Sequence, residues 1–363
     1  MIRLDYLGSL SIVRRARFVL LVVLAAATSA VVPASAQSLA FDLLERYLES
    51  YREQYGIPGL SVAIVQGGAI TWEAGLGKQD VESNVSANPD TPYYIGSLSQ
   101  VLGSTLLLEK CLEQETLELS DPVVRWTPSY SHQTATVREL LSHQSPSGAY
   151  AYDPGRFAGL TDVVEECADL SYRHVLARDL FGKLAMTRSV PGQQLTGTAS
   201  PGRAAFSAED IARYDNLVAQ MARTYRLDRG RPVRSTLPPI GANAATGVIT
   251  TVRDLQRFDK ALRDSLLLTR DTLTTAWTQT SGPGGPLPTG LGWFVQNYNG
   301  EPLVWQFDLT KDAASSMIVK LPARDVTFIV LANSDGLTAP FGLAAGDATA
   351  SPFIKLFLRF FAP

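Results

Sequence analysis

β-rich runs near both ends of the chain enclose a long helical middle, and this order restricts the fold more than any other feature. Residues 60–75 contain two such runs joined through Gly67 and Gly68, which predicts a hairpin. Between residues 291 and 333 further runs alternate or stay apolar, with a turn at Asn299-Gly300. We therefore predict one antiparallel sheet assembled from distant parts of the chain.

The middle of the chain, from Ser97 to about Thr280, has apolar residues at helical spacing. The clearest predicted helices cover residues 97–115, 136–143, 159–185, 207–227 and 252–262. Helices are also predicted at both ends of the chain, over residues 39–55 and in the closing stretch FIKLFLRFF. The predicted fold class is α/β (α+β): an antiparallel sheet flanked by terminal helices, with an inserted all-helical lobe.

The beginning of the chain has the pattern of an export signal. Three arginines precede an apolar run over residues 18–32, and Ala34-Ser35-Ala36 fits a small-residue cleavage site. Because the run is too short to span a bilayer, we predict that residues 1–36 are removed. The mature protein would then begin at Gln37, carry no stable membrane span, and be periplasmic or secreted.

The mature chain is predicted to be a single domain, residues 37–363, made of two lobes. Residues 37–95 and 285–363 would form the sheet lobe, and residues 96–284 the helical lobe. Signal removal takes away four arginines and one aspartate, so the formal charge falls from −3 to −6. An acidic chain without a basic block argues against nucleic acid as a partner.

Cysteine and histidine are rare, and they show no metal-ligand spacing. The sequence therefore predicts no metal and no cofactor. Cys111 and Cys167 each lie in a helical, mostly apolar context, where a small core residue is the favoured interpretation. A disulfide between them is the alternative, because an exported protein meets an oxidising compartment.

A short stretch, YYIGSLSQ, places Ser97 just after a turn at Gly96 and at the start of a helix, with Gln100 three residues later. Further segments follow in order: LSDPVVRWTP, TVRELLSHQSPSG, FGKLAMTRS, GVITTVRDLQRF and GLGWFV. Together they resemble the serine β-lactamase and penicillin-binding-protein superfamily, specifically its class C and esterase-like branch. The resemblance covers nearly all of the mature chain and implies a β-lactamase/transpeptidase-like fold.

The resemblance also implies a set of catalytic groups. The family uses a serine nucleophile, a lysine one helical turn later, a tyrosine from a Tyr-x-Asn motif, and a Lys/His-x-Gly on the facing edge strand. A serine hydroxyl is a poor nucleophile until a base takes its proton, and a buried lysine can lose its charge and act as that base. Backbone N–H groups of the edge strand stabilise the oxyanion.

Only two of these positions keep the expected side chain. Ser97 matches the nucleophile and Tyr152 matches the tyrosine. The altered positions are Gln100 for lysine, Pro154 for asparagine, and Gln306-Phe307-Asp308 for Lys/His-x-Gly.

The replacements all disfavour acyl transfer. Gln100 has no titratable group near neutral pH, so it cannot deprotonate Ser97, and loss of a positioned base costs typically ~10²–10⁴-fold in rate. Pro154 removes a polar side chain and a backbone donor. Asp308 adds bulk and negative charge where the family keeps glycine.

Each candidate also has an ordinary structural interpretation. Ser97 can cap its own helix, and Tyr152 can be a buried aromatic residue with a bonded hydroxyl. Lys311 is expected to be a solvated charge in the turn after the edge strand, and His143 to be structural. Asp153, next to Tyr152, is a further candidate for an unconventional base.

Three functional hypotheses follow. The favoured one is an exported, weak or inactive homologue whose cleft binds a small molecule or a peptidoglycan-like ligand without turnover. The alternative is an active acyl-serine hydrolase, such as an esterase, a D-amino-acid peptidase or a β-lactam-acylated protein, that uses Ser97 with an atypical base. The third is a protein that uses the fold only as a scaffold.

Overall fold

The computed structural model describes residues 34–195, 202–237 and 241–362. Most of the predicted signal, residues 1–33, lies outside the described residues, so its removal stays a prediction. Contacts between residues divide the chain into two compact units, residues 1–44 and residues 45–363. The boundaries of the two predicted lobes also stay a prediction. Within the described ranges, no helix is long and apolar enough to cross a membrane.

The described strands follow one another in this order: β1 (Gly59–Gln66), β2 (Ala69–Asp80), β3 (Val85–Ser86), β4 (Tyr93–Tyr94), β5 (Tyr225–Asp228), β6 (Arg231–Arg234), β7 (Ile249–Thr250), β8 (Ser281–Gly282), β9 (Gly285–Pro286), β10 (Phe294–Tyr298), β11 (Glu301–Thr310), β12 (Ala314–Leu321) and β13 (Val326–Ala332). The described α-helices are α1 (Ala34–Gln54), α2 (Gln100–Leu107), α3 (Val137–Leu141), α4 (Pro154–Phe157), α5 (Leu160–Ala168), α6 (Tyr172–Val175), α7 (Ala208–Ala219), α8 (Val252–Arg263), α9 (Arg270–Ala276) and α10 (Pro352–Phe361).

Seven of the strands form one antiparallel sheet in the order β10-β11-β12-β13-β1-β2-β3. β1 pairs directly with β13, with Val62 opposite Val330, so the two ends of the chain meet in the middle of the sheet. The turn between β10 and β11 lies at Asn299 and Gly300, which both have positive φ, as a tight two-residue hairpin requires. The predicted sheet and fold class are therefore confirmed.

The alternating side chains of the sheet pack against helices on both faces. Phe328 of β13 stacks on Phe357 of α10, with ring centroids 5.3 Å apart, and Tyr51 of α1 meets Phe353 edge-on. The next residue, Ile329, points the other way and joins the core of the helical part of the chain. The strand that carries Gln306 and Asp308 is held between these layers.

The predicted helix over residues 207–227 is wrong in its last third. α7 ends at Ala219, and residues 225–228 instead form β5, which pairs with β6 across a turn at Arg229 and Gly230. The helical spacing of apolar residues continues through Tyr225 by coincidence. A two-residue turn with positive φ at both positions suits a hairpin, and this turn decides the structure.

The favoured interpretation of the two cysteines as unpaired core residues is also wrong. Cys111 and Cys167 form a disulfide, with Cα atoms 5.5 Å apart. The helical turn that carries Cys111 packs against α5, and this contact brings the two side chains together. Cys111 is fully buried in the core, as its apolar sequence context indicates, and burial does not prevent a disulfide.

Candidate active site

Ser97 lies where the chain passes from the sheet to the helices. Residues Gly96–Ser99 form one 3₁₀ turn that leads directly into α2. Gly96 has a φ of +47°, and a Cβ atom there would lie 2.0 Å from a carboxylate oxygen of Asp308. The turn therefore requires glycine both for its backbone conformation and for its contact with β11. Ser97 itself is only half-buried, so its side chain borders the surface.

Asp308 of β11 contacts Ser97 directly. Its Oδ1 accepts a hydrogen bond from the backbone N–H of Ser97 over 2.7 Å, and its Oδ2 accepts one from the hydroxyl of Thr310 over 2.9 Å. The Asp308 side chain is buried, and within the described ranges it forms no ion pair with a cationic residue. Burial raises the pKa of this carboxyl to about 7, although the hydrogen bonds from Ser97 and Thr310 favour the charged form.

The hydrogen bond to Asp308 occupies the backbone N–H of Ser97, a donor that acyl transfer needs. In serine hydrolases the nucleophile's own backbone N–H typically supplies part of the oxyanion hole, because it points at the oxygen of an acyl group bound to the serine. Here that N–H already donates to Asp308. A substrate carbonyl oxygen would have to displace a carboxylate from the same donor.

Gln100, which stands at the lysine position, is fully buried in a neutral hydrogen-bond network. Its Oε1 lies 3.0 Å from Nε2 of His143 and 3.1 Å from Nε2 of Gln306. The Nδ1 atom of His143 accepts the backbone N–H of Asp153 over 3.2 Å, so the ring proton must be on Nε2. Both neighbours therefore donate to Gln100 Oε1, and its amide nitrogen is directed away from them.

His143 remains neutral in this network. Burial lowers its pKa to about 3, with the nearby Arg156 contributing in the same direction and Asp153 opposing. Its ring lies 4.6 Å from the ring of Tyr152. Sequence reasoning assigned His143 a purely structural place and missed its contact with Gln100, which lies 43 positions earlier in the chain. No local pattern around His143 indicates that contact.

Tyr152 lies beside the same network. Its ring stacks on Phe307 at 5.5 Å, and burial raises the pKa of its phenol above the ordinary range. Ser97 and Gln100 lie close enough to oppose that shift. Neither the Tyr152 hydroxyl nor Gln100 Nε2 has a well-formed hydrogen bond with another described residue. Both atoms are enclosed by the protein, next to Ser97.

The remaining candidates have structural roles. Pro154 is the first residue of α4, where its missing N–H is not needed by the helix. Asp153 is the N-cap of α4, and its carboxylate accepts the backbone N–H of Arg156 over 3.1 Å. Lys311 lies exposed in the turn between β11 and β12, as expected for a solvated charge.

The site thus brings together Ser97, Tyr152, Gln100, Gln306 and Asp308, as the sequence predicted. It contains no lysine, and its histidine is neutral and bonded to Gln100. The described part of the chain has no cluster of His, Cys, Asp and Glu that could hold a metal ion. Asp308 is the one group at Ser97 whose pKa lies near neutrality.

The fold and the position of Ser97 define a protein of the serine β-lactamase and penicillin-binding-protein superfamily. The family model named Beta-lactamase matches residues 44–349, and the chain belongs to that family. Its fold is similar to that of a class C beta-lactamase, with a TM-score of 0.67 and 17% identity over 88% of this chain and 96% of that one.

Two curated relatives show how far the sequence similarity extends. One is the penicillin-binding protein PbpX of Bacillus subtilis (strain 168), so described by its name. It is 22% identical to this chain over 278 residues, which are 68% of this chain and 64% of PbpX. A teichoic acid D-alanine hydrolase of Staphylococcus aureus is 31% identical over 110 residues, 30% of this chain and 26% of the hydrolase. The matches span less than two thirds of either relative's length.

Proposed function

We propose that this protein is an exported, catalytically inactive or very weak member of the family whose cleft binds a ligand without turnover. The observation that carries the proposal is the hydrogen bond from the backbone N–H of Ser97 to Asp308. A group that should stabilise a developing oxyanion is instead committed to a carboxylate of the protein itself.

The surroundings of Gln100 support the same proposal. An active site of this family needs a base one turn after the serine, and here that position holds an amide whose oxygen accepts two hydrogen bonds. The amides of Gln100 and Gln306 and the ring of His143 are neutral, so this network gives no group that could take the proton of Ser97. The missing lysine base and the occupied oxyanion donor both support the proposal of an inactive or very weak protein.

The cleft still has features that suit ligand binding. Ser97 is partly accessible, and behind it the Tyr152 hydroxyl and Gln100 Nε2 are enclosed donors without a well-formed bond, which a ligand reaches only if the site opens. These groups fit a small polar molecule or a peptidoglycan-like fragment that offers acceptors. The name of the staphylococcal relative, a teichoic acid D-alanine hydrolase, makes D-alanine-bearing wall compounds the first ligands to test.

A second candidate function is a slow acyl-serine hydrolase that uses Asp308 as its base. It is favoured by one observation: a carboxyl with a pKa of about 7 lies next to Ser97. A general base is most effective when its pKa is near the working pH. Against it stands the 2.7 Å hydrogen bond from the Ser97 backbone N–H, which holds one oxygen of this carboxylate, although the Ser97 hydroxyl also lies within its reach.

Ester turnover by the wild-type protein tests the proposal. We expect at most trace hydrolysis of an activated ester and no hydrolysis of a β-lactam, with rates unchanged in Ser97→Ala. Intact-mass spectrometry after incubation with a fluorophosphonate should show no added mass. An ordinary enzymatic rate that Ser97→Ala abolishes would reject inactivity and favour the second candidate.

Export is tested separately from catalysis. N-terminal sequencing of the protein recovered from the producing cell should show Gln37 as the first residue. Retention of the apolar run over residues 18–32 would indicate an anchored protein instead.

A further inference from the structure

The hairpin formed by β5 and β6 is rich in arginine. Five arginines fall within residues 223–234, although the net charge of the whole chain is negative. Four of them, Arg226, Arg229, Arg231 and Arg234, are exposed. We call these four side chains and their strands the arginine hairpin.

None of the four arginine side chains makes a hydrogen bond or an ion pair with another described residue. Two other exposed arginines are paired: Arg125 lies 3.2 Å from Asp121, and Arg324 lies 2.9 Å from Glu301. The hairpin carries a single acid, Asp228. Its net charge is +3, which leaves −6 on the rest of the full chain.

The pairing register places two of the arginines side by side on the outer face. Arg226 pairs with Val233 and Asp228 with Arg231, so these four side chains share one face of the hairpin. Arg226 and Arg231 are then diagonal neighbours, roughly 7–8 Å apart. The opposite face is anchored by Tyr225, which is buried and donates its hydroxyl to Glu82.

The other two arginines extend the charge along the hairpin. Arg229 lies in the turn with a φ of +52°, and Arg234 lies at the far end of β6. The four guanidinium groups are therefore distributed along both strands and the turn of the hairpin, and they do not converge on one pocket. Val233 is 36% exposed on the face of Arg226 and Arg231, whereas the exposed Pro232 lies on the opposite face together with Arg234.

We propose that the arginine hairpin is a docking surface for an anionic phospholipid membrane. Guanidinium groups bind phosphate oxygens in a bidentate manner, and a spread array fits the many phosphates of a lipid surface better than a single anion. The exposed Val233, on the same face as Arg226 and Arg231, suits the region just below the lipid headgroups. The acidic remainder of the protein would be repelled, so the hairpin would face the membrane.

The experiment compares sedimentation of the full chain with phosphatidylcholine vesicles that contain or lack phosphatidylglycerol. The test variant is Arg226→Gln with Arg231→Gln. The matched control is Arg125→Gln with Arg324→Gln, which removes the same charge from paired arginines. Every protein retains residues 18–32, so any insertion of that segment is common to all, and thermal unfolding checks that each variant folds.

Wild-type protein should bind vesicles with phosphatidylglycerol more tightly than vesicles without it, and high salt should remove the difference. The test variant should lose roughly thirtyfold in affinity, since each arginine near an anionic surface contributes about a fivefold factor. The control should lose far less.

Four results would overturn the proposal. One is equal binding of wild-type protein to both kinds of vesicle, and another is an equal loss in test and control variants. The third is competition by inorganic phosphate beyond that of chloride at the same ionic strength, which would indicate a site for single anions. Binding to DNA without binding to phosphatidylglycerol would likewise assign the hairpin to a different partner.

Discussion

The carboxylate of Asp308 accepts the backbone N–H of Ser97 over 2.7 Å, and Gly96 leaves the space in which the two groups meet. Serine and carboxylate come from opposite parts of the chain, 211 positions apart. The contact joins the start of the helical region to strand β11. It therefore stabilises the fold at the position that corresponds to the catalytic site of the family.

Asp308 should make stability depend on pH. Its pKa rises from 3.8 to about 7 on folding, so between those values the folded protein binds more protons at this carboxyl than the unfolded chain does. Its contribution to stability is therefore greatest at low pH and is lost as the pH rises to about 7, by an amount on the order of 4 kcal/mol.

Urea unfolding of wild type and Asp308→Asn measures that contribution. The measurements run from about pH 5 to about pH 8, which covers the upper part of this titration. The Asn variant should gain stability relative to wild type as the pH rises. The titration of His143 changes stability with pH in the opposite direction, because the pKa of His143 falls on folding. His143 is present in both proteins, so its effect cancels when their stabilities are compared. Parallel curves would show that Asp308 does not titrate in this range.

The sequence alone predicts the sheet and the placement of the altered motif, because both depend on periodicity. Alternation along β11 puts Gln306 and Asp308 on the same face, and helical spacing puts Gln100 one turn after Ser97. The same logic fails for residues 220–227, where apolar spacing imitates a helix although a hairpin turn follows.

The features that sequence reasoning missed depend on packing between distant segments. The contact of His143 with Gln100 and the pairing of Cys111 with Cys167 arise only when helices of the middle region meet. The hydrogen bond of Asp308 to the Ser97 backbone was also not predicted, since spacing places a side chain on a strand but does not show which atom it reaches.

Restoring lysine alone at position 100 should damage the protein more than it helps. Gln100→Lys leaves the donors of His143 and Gln306 without an acceptor, and each buried unsatisfied donor costs about 1–3 kcal/mol. We expect a loss of about 2–5 kcal/mol in the free energy of unfolding and no gain in ester hydrolysis. Gln100→Met, which loses the same acceptor without adding a charge, is the control. A stable and active Gln100→Lys protein would contradict this view of the network.

A combined variant has a better chance of acylation. Gln100→Lys, Pro154→Asn, Gln306→His and Asp308→Gly together restore the family pattern, and groups that act as a unit are strongly non-additive. Intact-mass spectrometry after incubation with a β-lactam or an activated ester should show an adduct in this variant. The adduct should disappear when Ser97→Ala is added, and its persistence would mean that another residue is acylated.

The disulfide between Cys111 and Cys167 should contribute to stability through the unfolded chain. A cross-link over 56 positions contributes about 4 kcal/mol by loop entropy. Denaturant unfolding of wild type against Cys111→Ala with Cys167→Ala measures this difference, and alkylation followed by mass spectrometry shows whether the thiols are blocked. Free thiols in protein recovered under oxidising conditions would contradict the pairing.

Two substitutions at Asp308 distinguish an occupied oxyanion donor from a catalytic base. Asp308→Gly frees the Ser97 N–H, whereas Asp308→Asn keeps an oxygen that can accept it but removes the titratable group. If Asp308 were the base of a slow hydrolase, both changes would lower the reactivity of Ser97.

The most direct measurement is the rate at which a fluorophosphonate labels Ser97 in wild type, Asp308→Asn and Asp308→Gly, with Ser97→Ala as the blank. The structure predicts faster labelling in Asp308→Gly than in wild type, up to the ~10²–10³-fold typical of one oxyanion donor. Asp308→Asn should remain as slow as wild type. Labelling that is measurable in wild type and falls in both variants would contradict the account and make Asp308 the base.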